Sequence, residues 1–277
     1  MAVDERLQRL RARLGALERV VVAFSGGADS AFLAKVASDR LGAPRVLCAT
    51  AVSASLADEE RRDCAALAQE WGLRWREVVT HEMADAAYRA NDTERCYYCK
   101  SSLLDALSPL AATEEATVVL GVNVDDLGDH RPGQRAAAER GAVFPLVDCG
   151  YTKAEIRATS RRLGLRTWDK PAAACLASRL PYGTPVAIGT LQAVGRAESG
   201  LRALGLRQVR VRHYGELARI EVDGDELGRV LAHRAEVVEA VRGAGYRYVT
   251  LDLEGFRSGN LNAAVGTDRR PTTEERP

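Results

Sequence analysis

Short apolar runs alternate with amphipathic stretches as far as residue 164. The run at residues 20–24 contains no polar residue, which is typical of a strand covered on both faces in a parallel sheet. Strands that alternate with helices form right-handed βαβ units, so the pattern predicts an α/β fold with a parallel sheet. The predicted strands are 20–24, 45–50, 74–79 and 117–121, and the predicted helices are 4–18, one beginning at 28–30, 57–71, 101–112 and one that Thr152 begins with a capping box.

The pattern changes after residue 183. Val209 and Val211 alternate with Arg210 and Arg212, which predicts a half-buried strand at 208–213. The other predicted elements are a helix at 188–204, strands at 217–222 and 246–253, and a helix at 225–243 with a break near Arg234. We therefore expect a parallel-sheet domain at 1–183, a small α+β domain at 184–266 and a disordered tail at 267–277, which is polar and contains proline.

Composition limits the classes of function. The chain has 277 residues and 46% hydrophobic residues, enough for two domains with real cores. Its net charge of +1 argues against a strongly cationic nucleic-acid surface. No apolar run is long enough to cross a membrane, and the charged beginning of the chain lacks the apolar core of a signal peptide. We expect a cytoplasmic protein.

The loop after the first predicted strand contains the sequence AFSGGADS at residues 23–30. Adjacent glycines let the backbone approach an anion, and the helix that follows directs N–H groups and the positive end of its dipole at it. The spacing excludes the ATPase P-loop, which needs four residues between its glycines and a Lys-Ser/Thr pair after them. An ordinary glycine turn is the alternative to a phosphate site.

Polar residues also follow two other predicted strands, at the edge where a parallel sheet binds its ligand. Thr50 ends the second strand. The segment after the fourth strand is rich in carboxylates, which hold Mg²⁺ beside phosphates, although a solvated turn would explain the same residues. Its polar and glycine positions include Gly121, Asn123, Asp125, Asp126, Asp129 and Arg131.

Three of the six cysteines lie in unusual surroundings. Cys96 and Cys99 form a CxxC pair, which is found in zinc, redox and iron–sulfur sites. Cys175 lies in an irregular segment beside Ser178 and Arg179. Three cysteines with one open position suit a [4Fe–4S] cluster, whereas core cysteines that never meet are the alternative.

These motifs together resemble a known family. Ser25, Gly26, Gly27, Asp29 and Ser30 match the SGGxDS signature of the PP-loop ATP pyrophosphatases, whose domain is Rossmann-like, of the adenine nucleotide alpha hydrolase type. Over nearly the whole chain the sequence is similar to the LarE family of sulfur transferases, which build the nickel-pincer cofactor of lactate racemase. The matching segments are AFSGGADS (23–30), ERCYYCK (94–100), GVNVDDLGDHRPG (121–133), KPAAACLASRLPYGTPV (170–186), RVRHYGELARIEV (210–222) and YVTLDLEGFRSGNLN (248–262).

The resemblance implies a reaction. ATP with Mg²⁺ adenylates a carboxylate of pyridinium-3,5-biscarboxylic acid mononucleotide, and a sulfur nucleophile then displaces AMP to leave a thiocarboxylate. The implied catalytic residues are Cys175, Asp29, Ser30, Ser178 and Arg179. The implied ATP-binding residues are Ala23, Phe24, Ser25, Gly26, Gly27, Asp29, Ser30, Thr50, Gly121, Asn123 and Asp125.

Further expectations also follow from the resemblance. Arg210 and Arg212 suit the substrate phosphate or carboxylate, because arginine forms bidentate contacts with both groups. Glu198 and Glu221 match carboxylates near a family metal site, although ordinary helix and strand charges would explain them equally well. Asp125 and Asp126 of the acidic loop are candidate metal ligands on their own residues. The family forms trimers or hexamers, so we expect a homo-oligomer.

The sulfur source follows from the number of cysteines. Family members with one site cysteine give up its own sulfur, whereas members with three resemble a [4Fe–4S] type. Because Cys96, Cys99 and Cys175 are all present, the sequence favours the cluster. A tRNA-thiolating PP-loop enzyme is the alternative, and it needs a basic RNA-binding surface. A module that only senses ATP is a third hypothesis, against which the intact Asp29, Ser30 and Asp125 argue.

Overall fold

The computed structural model describes residues 3–128, 132–171 and 174–257. The expectations for Asp129, Arg131 and the tail at 267–277 lie outside these ranges. Contacts divide the chain into two compact units, one formed by 1–177 and 185–191 and the other by 178–184 and 192–277. The domain boundary at 183/184 stays a prediction.

The first unit is built on a parallel sheet of four strands in the order β3-β2-β1-β4. These strands are β1 (Val20–Ala23), β2 (Val46–Val52), β3 (Trp75–Val79) and β4 (Thr117–Leu120). The helices are α1 (Val3–Gly15), α2 (Ala28–Leu41), α3 (Asp58–Glu70), α4 (Ala86–Ala90), α5 (Arg95–Thr113), α6 (Pro132–Glu139), α7 (Pro145–Asp148) and α8 (Lys153–Arg162). The α/β fold class predicted from the sequence is confirmed.

The sheet is covered on both faces because successive side chains of β1 belong to different cores. Val20 and Val22 pack in a core that includes Leu14 of α1 and Phe32 of α2. Val21 points the other way and packs with a cluster that includes residues of α5. Burial of one such valine side chain stabilises the fold by about 1.5–3 kcal/mol. This two-sided burial explains why the strand contains no polar residue.

Strand order determines where a ligand can bind. The chain moves outward from β1 through β2 to β3 and then returns to place β4 on the other side of β1. In an open α/β sheet the crevice at such a reversal, beyond the carboxyl ends of the strands, is the usual ligand site. The loops that follow β1 and β4 therefore lie at that crevice.

Two helix starts show what the sequence pattern could and could not predict. Thr152 caps α8 with the predicted capping box, in which Glu155 reaches back to the Thr152 backbone. Helix α5, in contrast, begins at Arg95 and not at the predicted residue 101. Its first six residues, RCYYCK, do not show the apolar spacing that predicts a helix. A turn in which the Glu94 amide donates to Asp92 Oδ1 at 2.8 Å precedes the helix.

The second unit contains a sheet of three strands in the order β5-β6-β7. Its elements are α9 (Ile188–Ala203, whose first residues belong to the first unit), β5 (Val209–Tyr214), β6 (Leu217–Val222), α10 (Leu227–Ala232), α11 (Arg234–Gly243) and β7 (Tyr248–Leu251). Strands β5 and β6 are antiparallel, and β7 runs parallel to β6. The predicted helix break is confirmed at His233.

Strand β5 differs from its prediction because Arg210 and Arg212 are buried, not on a solvated face. Glutamates buried beside these arginines make that burial possible. Within the described ranges, no helix has both the length and the apolar character needed to cross a membrane.

Candidate functional site

A cavity of about 430 Å³ lies in the first unit, at the carboxyl ends of the sheet strands. It contains most of the predicted ATP-binding residues and one predicted catalytic cysteine. The predicted residues in its lining are Ala23, Phe24, Ser25, Gly27, Asp29, Ser30, Thr50, Gly121, Cys99 and Cys175. Gly26, Asn123 and Asp125 are not among the residues that line it.

The loop after β1 has the backbone of an anion site. Gly26 has φ +67°, and a Cβ there would lie 2.9 Å from Cys64 Sγ, so only glycine fits without strain. Gly27 is the N-cap of α2 and offers no side chain to its first amides. Ser30 Oγ instead turns back, accepting from the Ser25 amide at 3.2 Å and lying 3.0 Å from Ser25 Oγ. The first turn of α2 therefore leaves its amides to a ligand.

Gly121 brings β4 against this loop. A Cβ at Gly121 would lie 2.8 Å from the Ser30 amide nitrogen and 2.9 Å from Ser30 Cα. These are backbone atoms that cannot rotate away. The close approach of β4 to α2 therefore depends on the absence of a side chain at this position.

The surroundings of the Asp29 carboxylate suit a positively charged ligand. Its Oδ2 accepts from Asn123 Nδ2 at 3.2 Å, and its Oδ1 is buried with no hydrogen-bond partner among the described residues. Burial raises the pKa of Asp29, and Lys153 opposes that rise. Buried carboxylate oxygens without partners are costly, so this atom fits a cation that arrives with the nucleotide.

The predicted metal ligands Asp125 and Asp126 have local structural partners. Asp125 Oδ2 accepts from the Lys153 amide at 2.7 Å, at the start of α8. Asp126 Oδ2 accepts from the Asn123 amide at 3.1 Å. Neither carboxylate lines the cavity. The structure thus places both where they fix the loop that holds Asn123.

Four basic residues line the cavity, and the sequence reasoning named none of them as a site residue: Lys100, Lys153, Arg157 and Lys170. Lys153 and Arg157 are four residues apart on α8, so they share one face of that helix. That spacing, directly after a capping box, was the signal available in the sequence. Their charges are suited to a polyphosphate.

Lys170 connects the cysteine segment to the anion loop. Its Nζ donates to Gly26 O at 3.2 Å, Glu60 Oε2 at 2.7 Å and Asp63 Oδ2 at 2.6 Å. Burial alone would lower the pKa of Lys170, but the hydrogen bonds to Asp63 and Glu60 outweigh it and raise that pKa. Lys170 is therefore a cation held beside the loop.

Cys175 is exposed, and hydrogen bonds hold the two residues that follow it. The Leu176 amide donates to Ser55 O at 2.8 Å. Arg95 Nη1 donates to Ala177 O at 2.8 Å and to Asn91 Oδ1 at 2.6 Å. Arg95 directly precedes Cys96, so one side chain connects the first turn of α5 to the Cys175 segment.

The three candidate cluster cysteines are not equivalent. Cys99 and Cys175 both line the cavity, whereas Cys96 is exposed and does not. Burial raises the pKa of Cys99 to about 12, and the nearby Cys175 thiol adds to the rise. Within the described part of the chain, no three His, Cys, Asp or Glu side chains form a group that could hold a metal ion. The cysteines therefore do not fit a cluster as they stand.

The second unit contains a buried ionic layer. Arg179 holds Glu198 through two hydrogen bonds, Nε to Oε1 at 2.7 Å and Nη2 to Oε2 at 2.9 Å, and the Val211 amide donates to Glu198 Oε1 at 3.0 Å. Arg212 Nε donates to Glu221 Oε2 at 2.9 Å. Both carboxylates are fully buried. The two predicted metal ligands thus have arginine partners.

Predicted substrate-binding residues also lie in this layer. Arg212 Nη1 donates to Ser178 O at 2.9 Å, and Arg179 Nη1 donates to Ser178 Oγ at 3.0 Å. Arg210 stacks on the Phe256 ring at 5.3 Å. Burial and the neighbouring Arg179 charge lower the pKa of Arg210 to about 10. The structure thus gathers Ser178, Arg179, Arg210 and Arg212 within the second unit.

Comparisons with known proteins show which family this chain belongs to. The NAD synthase family matches residues 3–101, which include the anion loop. Pyridinium-3,5-bisthiocarboxylic acid mononucleotide synthase of Lactiplantibacillus plantarum is 38% identical over 91% of this chain and 92% of its own length. The chain belongs to the LarE family. The loop at 23–30 of this LarE-family protein is accordingly a PP-loop.

Two further relatives extend the similarity of this LarE-family chain. An uncharacterized protein of Synechocystis is 48% identical over 95% of the chain and 99% of its own length. An uncharacterized protein of Methanocaldococcus jannaschii is 26% identical over 87% of the chain and 92% of its own length. These matches cover both compact units.

Proposed function

We propose that this protein is an ATP-dependent sulfur transferase that converts carboxylates of pyridinium-3,5-biscarboxylic acid mononucleotide into thiocarboxylates. The name of the Lactiplantibacillus relative supports the substrate. The observation that carries the proposal is that one cavity contains both the PP-loop and Cys175. An activating nucleotide and a sulfur nucleophile can therefore meet the same carboxylate.

The first step is adenylation. A substrate carboxylate oxygen attacks the α-phosphorus of ATP, the bond from that phosphorus to the bridging oxygen breaks, and pyrophosphate leaves. The amides of α2, together with Lys153 and Arg157, stabilise the charge on the departing pyrophosphate. Mg²⁺ that arrives with ATP would be held in part by Asp29 Oδ1, the buried atom without a partner, and would neutralise phosphate charge.

The second step transfers sulfur. A sulfur nucleophile attacks the acyl carbon, a C–S bond forms, the C–O bond to AMP breaks, and AMP leaves. Adenylation serves this step because AMP is a much better leaving group than the oxygen of a free carboxylate, and thiolates are strong nucleophiles.

Two sulfur sources satisfy the chemistry. In one, the Cys175 thiolate forms a thioester with the substrate, a base then takes the Cα proton, and the Cβ–S bond breaks to leave a thiocarboxylate and dehydroalanine. In the other, Cys96, Cys99 and Cys175 would hold a [4Fe–4S] cluster, which would present sulfide taken from an external donor as the nucleophile. The cysteines are not assembled as a metal site, so the steps above do not depend on a cluster.

For the second unit we propose substrate recognition. Arg210 and Arg212 would bind the phosphate or a carboxylate of the mononucleotide, with Ser178 and Arg179 beside them. A buried guanidinium binds an anion more strongly than one in water, because less solvent screens the charge. The trimer or hexamer and the cytoplasmic location stay predictions.

The proposal is tested by the reaction's by-products. Purified protein with ATP and Mg²⁺ should form AMP and pyrophosphate when pyridinium-3,5-biscarboxylic acid mononucleotide is added, and not when tRNA is added. Chromatography of the nucleotides measures both. AMP formation with tRNA alone would make the protein a tRNA-thiolating enzyme, and no AMP with either substrate would contradict both enzymatic hypotheses.

A further inference from the structure

One carboxylate that lines the cavity has no ion-pair partner in the described part of the chain. Glu82, in the loop after β3, exposes only 3% of its surface. Its Oε1 accepts a long hydrogen bond from Ser55 Oγ at 3.4 Å, and its Oε2 is buried with no hydrogen-bond partner among the described residues. Buried charges in proteins are normally paired, so this carboxylate suits a ligand that brings a positive charge.

Neighbouring groups do not balance the charge of Glu82. Glu60, which lines the same cavity, is paired with Lys170 at 2.7 Å. Lys100 also lines the cavity, but it forms no ion pair with Glu82 in the described structure. Burial raises the pKa of Tyr88, so this nearby phenol is neutral. The positive charge that the site lacks would therefore come from a ligand.

Glu82 lies close to the segment that carries the proposed sulfur nucleophile. Ser55 connects the two: its Oγ donates to Glu82, and its carbonyl oxygen accepts from the Leu176 amide at 2.8 Å, directly after Cys175. Glu82, Ser55 and Cys175 all line the cavity. A ligand group that reaches Cys175 in this cavity is therefore also close to Glu82.

The substrate of the proposed reaction brings a positive charge to this place. ATP is an anion, and the mononucleotide has an anionic phosphate and two carboxylates, but its ring nitrogen is a pyridinium with a permanent positive charge. The ring bears the reacting carboxylate directly, so its charge lies within a few ångströms of the acyl carbon. When that carbon is beside Cys175, the pyridinium charge is in the part of the cavity that contains Glu82.

We propose that Glu82 is a specificity-determining residue that binds the pyridinium ring of the substrate through its charge. The inference rests on the proposed function and adds the part of the substrate that Glu82 recognises. Little solvent screens a carboxylate that is this deeply buried, so its attraction for a cation is strong. Binding the ring beside Glu82 also holds the reacting carboxylate close to Cys175.

The test compares two ligands that differ in the charge of the ring. One is pyridinium-3,5-biscarboxylic acid mononucleotide, and the other is its isostere with an uncharged benzene ring joined to the ribose through carbon. Calorimetry without ATP measures the Kd of each, because no reaction then consumes the ligand. Glu82→Gln should weaken binding of the pyridinium compound about 10- to 100-fold, as for loss of one close charge pair, and leave binding of the uncharged isostere unchanged.

Two further variants are the controls. Glu77→Gln removes a carboxylate from β3 that pairs with Arg61 and does not line the cavity, so both affinities should stay at their wild-type values. Lys100→Met removes a cation that lines the cavity, so it should change both affinities by the same factor. This second control separates direct recognition of the ring by Glu82 from an effect that Glu82 exerts through Lys100.

The inference is overturned if Glu82→Gln binds the pyridinium compound as tightly as wild type, if it weakens both ligands equally, or if wild type binds neither. It is also overturned if Lys100→Met weakens only the pyridinium compound. The proposed function has a separate readout, which is AMP formation by wild type with ATP, Mg²⁺ and the pyridinium compound. AMP formation without the Glu82 effect rejects only the role of Glu82, whereas the Glu82 effect without AMP formation rejects only the proposed function.

Discussion

At the scale of single residues, the site combines positions that the sequence could predict with others that it could not. Gly26 of the PP-loop and Gly121 after β4 were predictable as glycines, because a positive φ at Gly26 and a close approach at Gly121 leave no room for a side chain. Lys153 and Arg157 were missed: their spacing puts them on one face of α8, but charged residues on a helix usually face solvent. Only the fold shows that this face of α8 lines a cavity.

Asp29 provides the prediction at this scale. Replacing Asp29 with Asn removes the charge that would meet Mg²⁺ and keeps the shape of the side chain. AMP formation should fall about 100-fold, as when an electrostatic contact in a site is lost. Because burial disfavours the ionised form of Asp29, Tm should not fall. Nucleotide chromatography and calorimetry measure the two effects.

The control for Asp29→Asn is Asp39→Asn on the same helix. Asp39 pairs with Lys35 on the exposed face of α2, at 2.5 Å, so its replacement should leave AMP formation at the wild-type rate. Equal rates in Asp29→Asn and Asp39→Asn would refute the role of Asp29.

At the scale of elements, strands were easier to predict than the starts of helices. The four strands of the first unit are apolar runs because the sheet is covered on both faces. The early start of α5 was missed, since tyrosines and cysteines give no helical period. The short helices α4, α6 and α7 were missed for a related reason: tertiary contacts, more than local pattern, hold elements of that length.

A substitution of Cys96, in the first turn of α5, distinguishes the two sulfur sources. The cluster route needs Cys96, whereas the thioester route does not. If Cys96→Ala abolishes sulfur transfer while adenylation continues, and the anaerobically prepared wild type shows the visible absorption of an iron–sulfur cluster, the cluster route is correct. If Cys96→Ala still transfers one sulfur per protein and Cys175 becomes lighter by the mass of H₂S, the thioester route is correct and the cluster that the sequence favours is wrong.

Another element-scale prediction concerns the ionic layer of the second unit. Burial alone would raise the pKa of Glu198, but Arg179 and its other partners outweigh burial and lower it. A lowered pKa means that ionised Glu198 contributes stability above its unfolded value of 4.5, and that this contribution is lost as pH falls through the lower folded pKa. Glu198→Gln should therefore reduce stability near pH 7 by about 3–5 kcal/mol, the cost of breaking a buried ion pair.

Calorimetry at several pH values measures this effect. The Tm difference between wild type and Glu198→Gln should narrow as pH falls below 4.5. Glu236→Gln is the control, because Glu236 is more than half exposed on α11. If the Tm difference between wild type and Glu198→Gln stays constant down to the lowest pH, ionisation of Glu198 does not stabilise the unit.

At the scale of the whole molecule, the fold and the family could be predicted from the sequence, because different family motifs are spread along nearly the whole chain. The pairing of residues distant in sequence was not. Lys170 lies more than a hundred residues from Gly26, Glu60 and Asp63, yet it contacts all three. The burial of Arg210 and Arg212 likewise depends on Glu198 and Glu221, since an unpaired buried charge would be too costly.

The central claim is that ATP activates a substrate carboxylate and that the transfer of sulfur to this carboxylate requires Cys175. Its most direct test is mass spectrometry of the small molecules after wild-type protein and Cys175→Ala are each incubated with ATP, Mg²⁺ and pyridinium-3,5-biscarboxylic acid mononucleotide. The wild type should yield AMP and a product with sulfur in place of oxygen, whereas Cys175→Ala should yield AMP and no sulfur-containing product. Sulfur-containing product from Cys175→Ala at the wild-type rate would contradict the account.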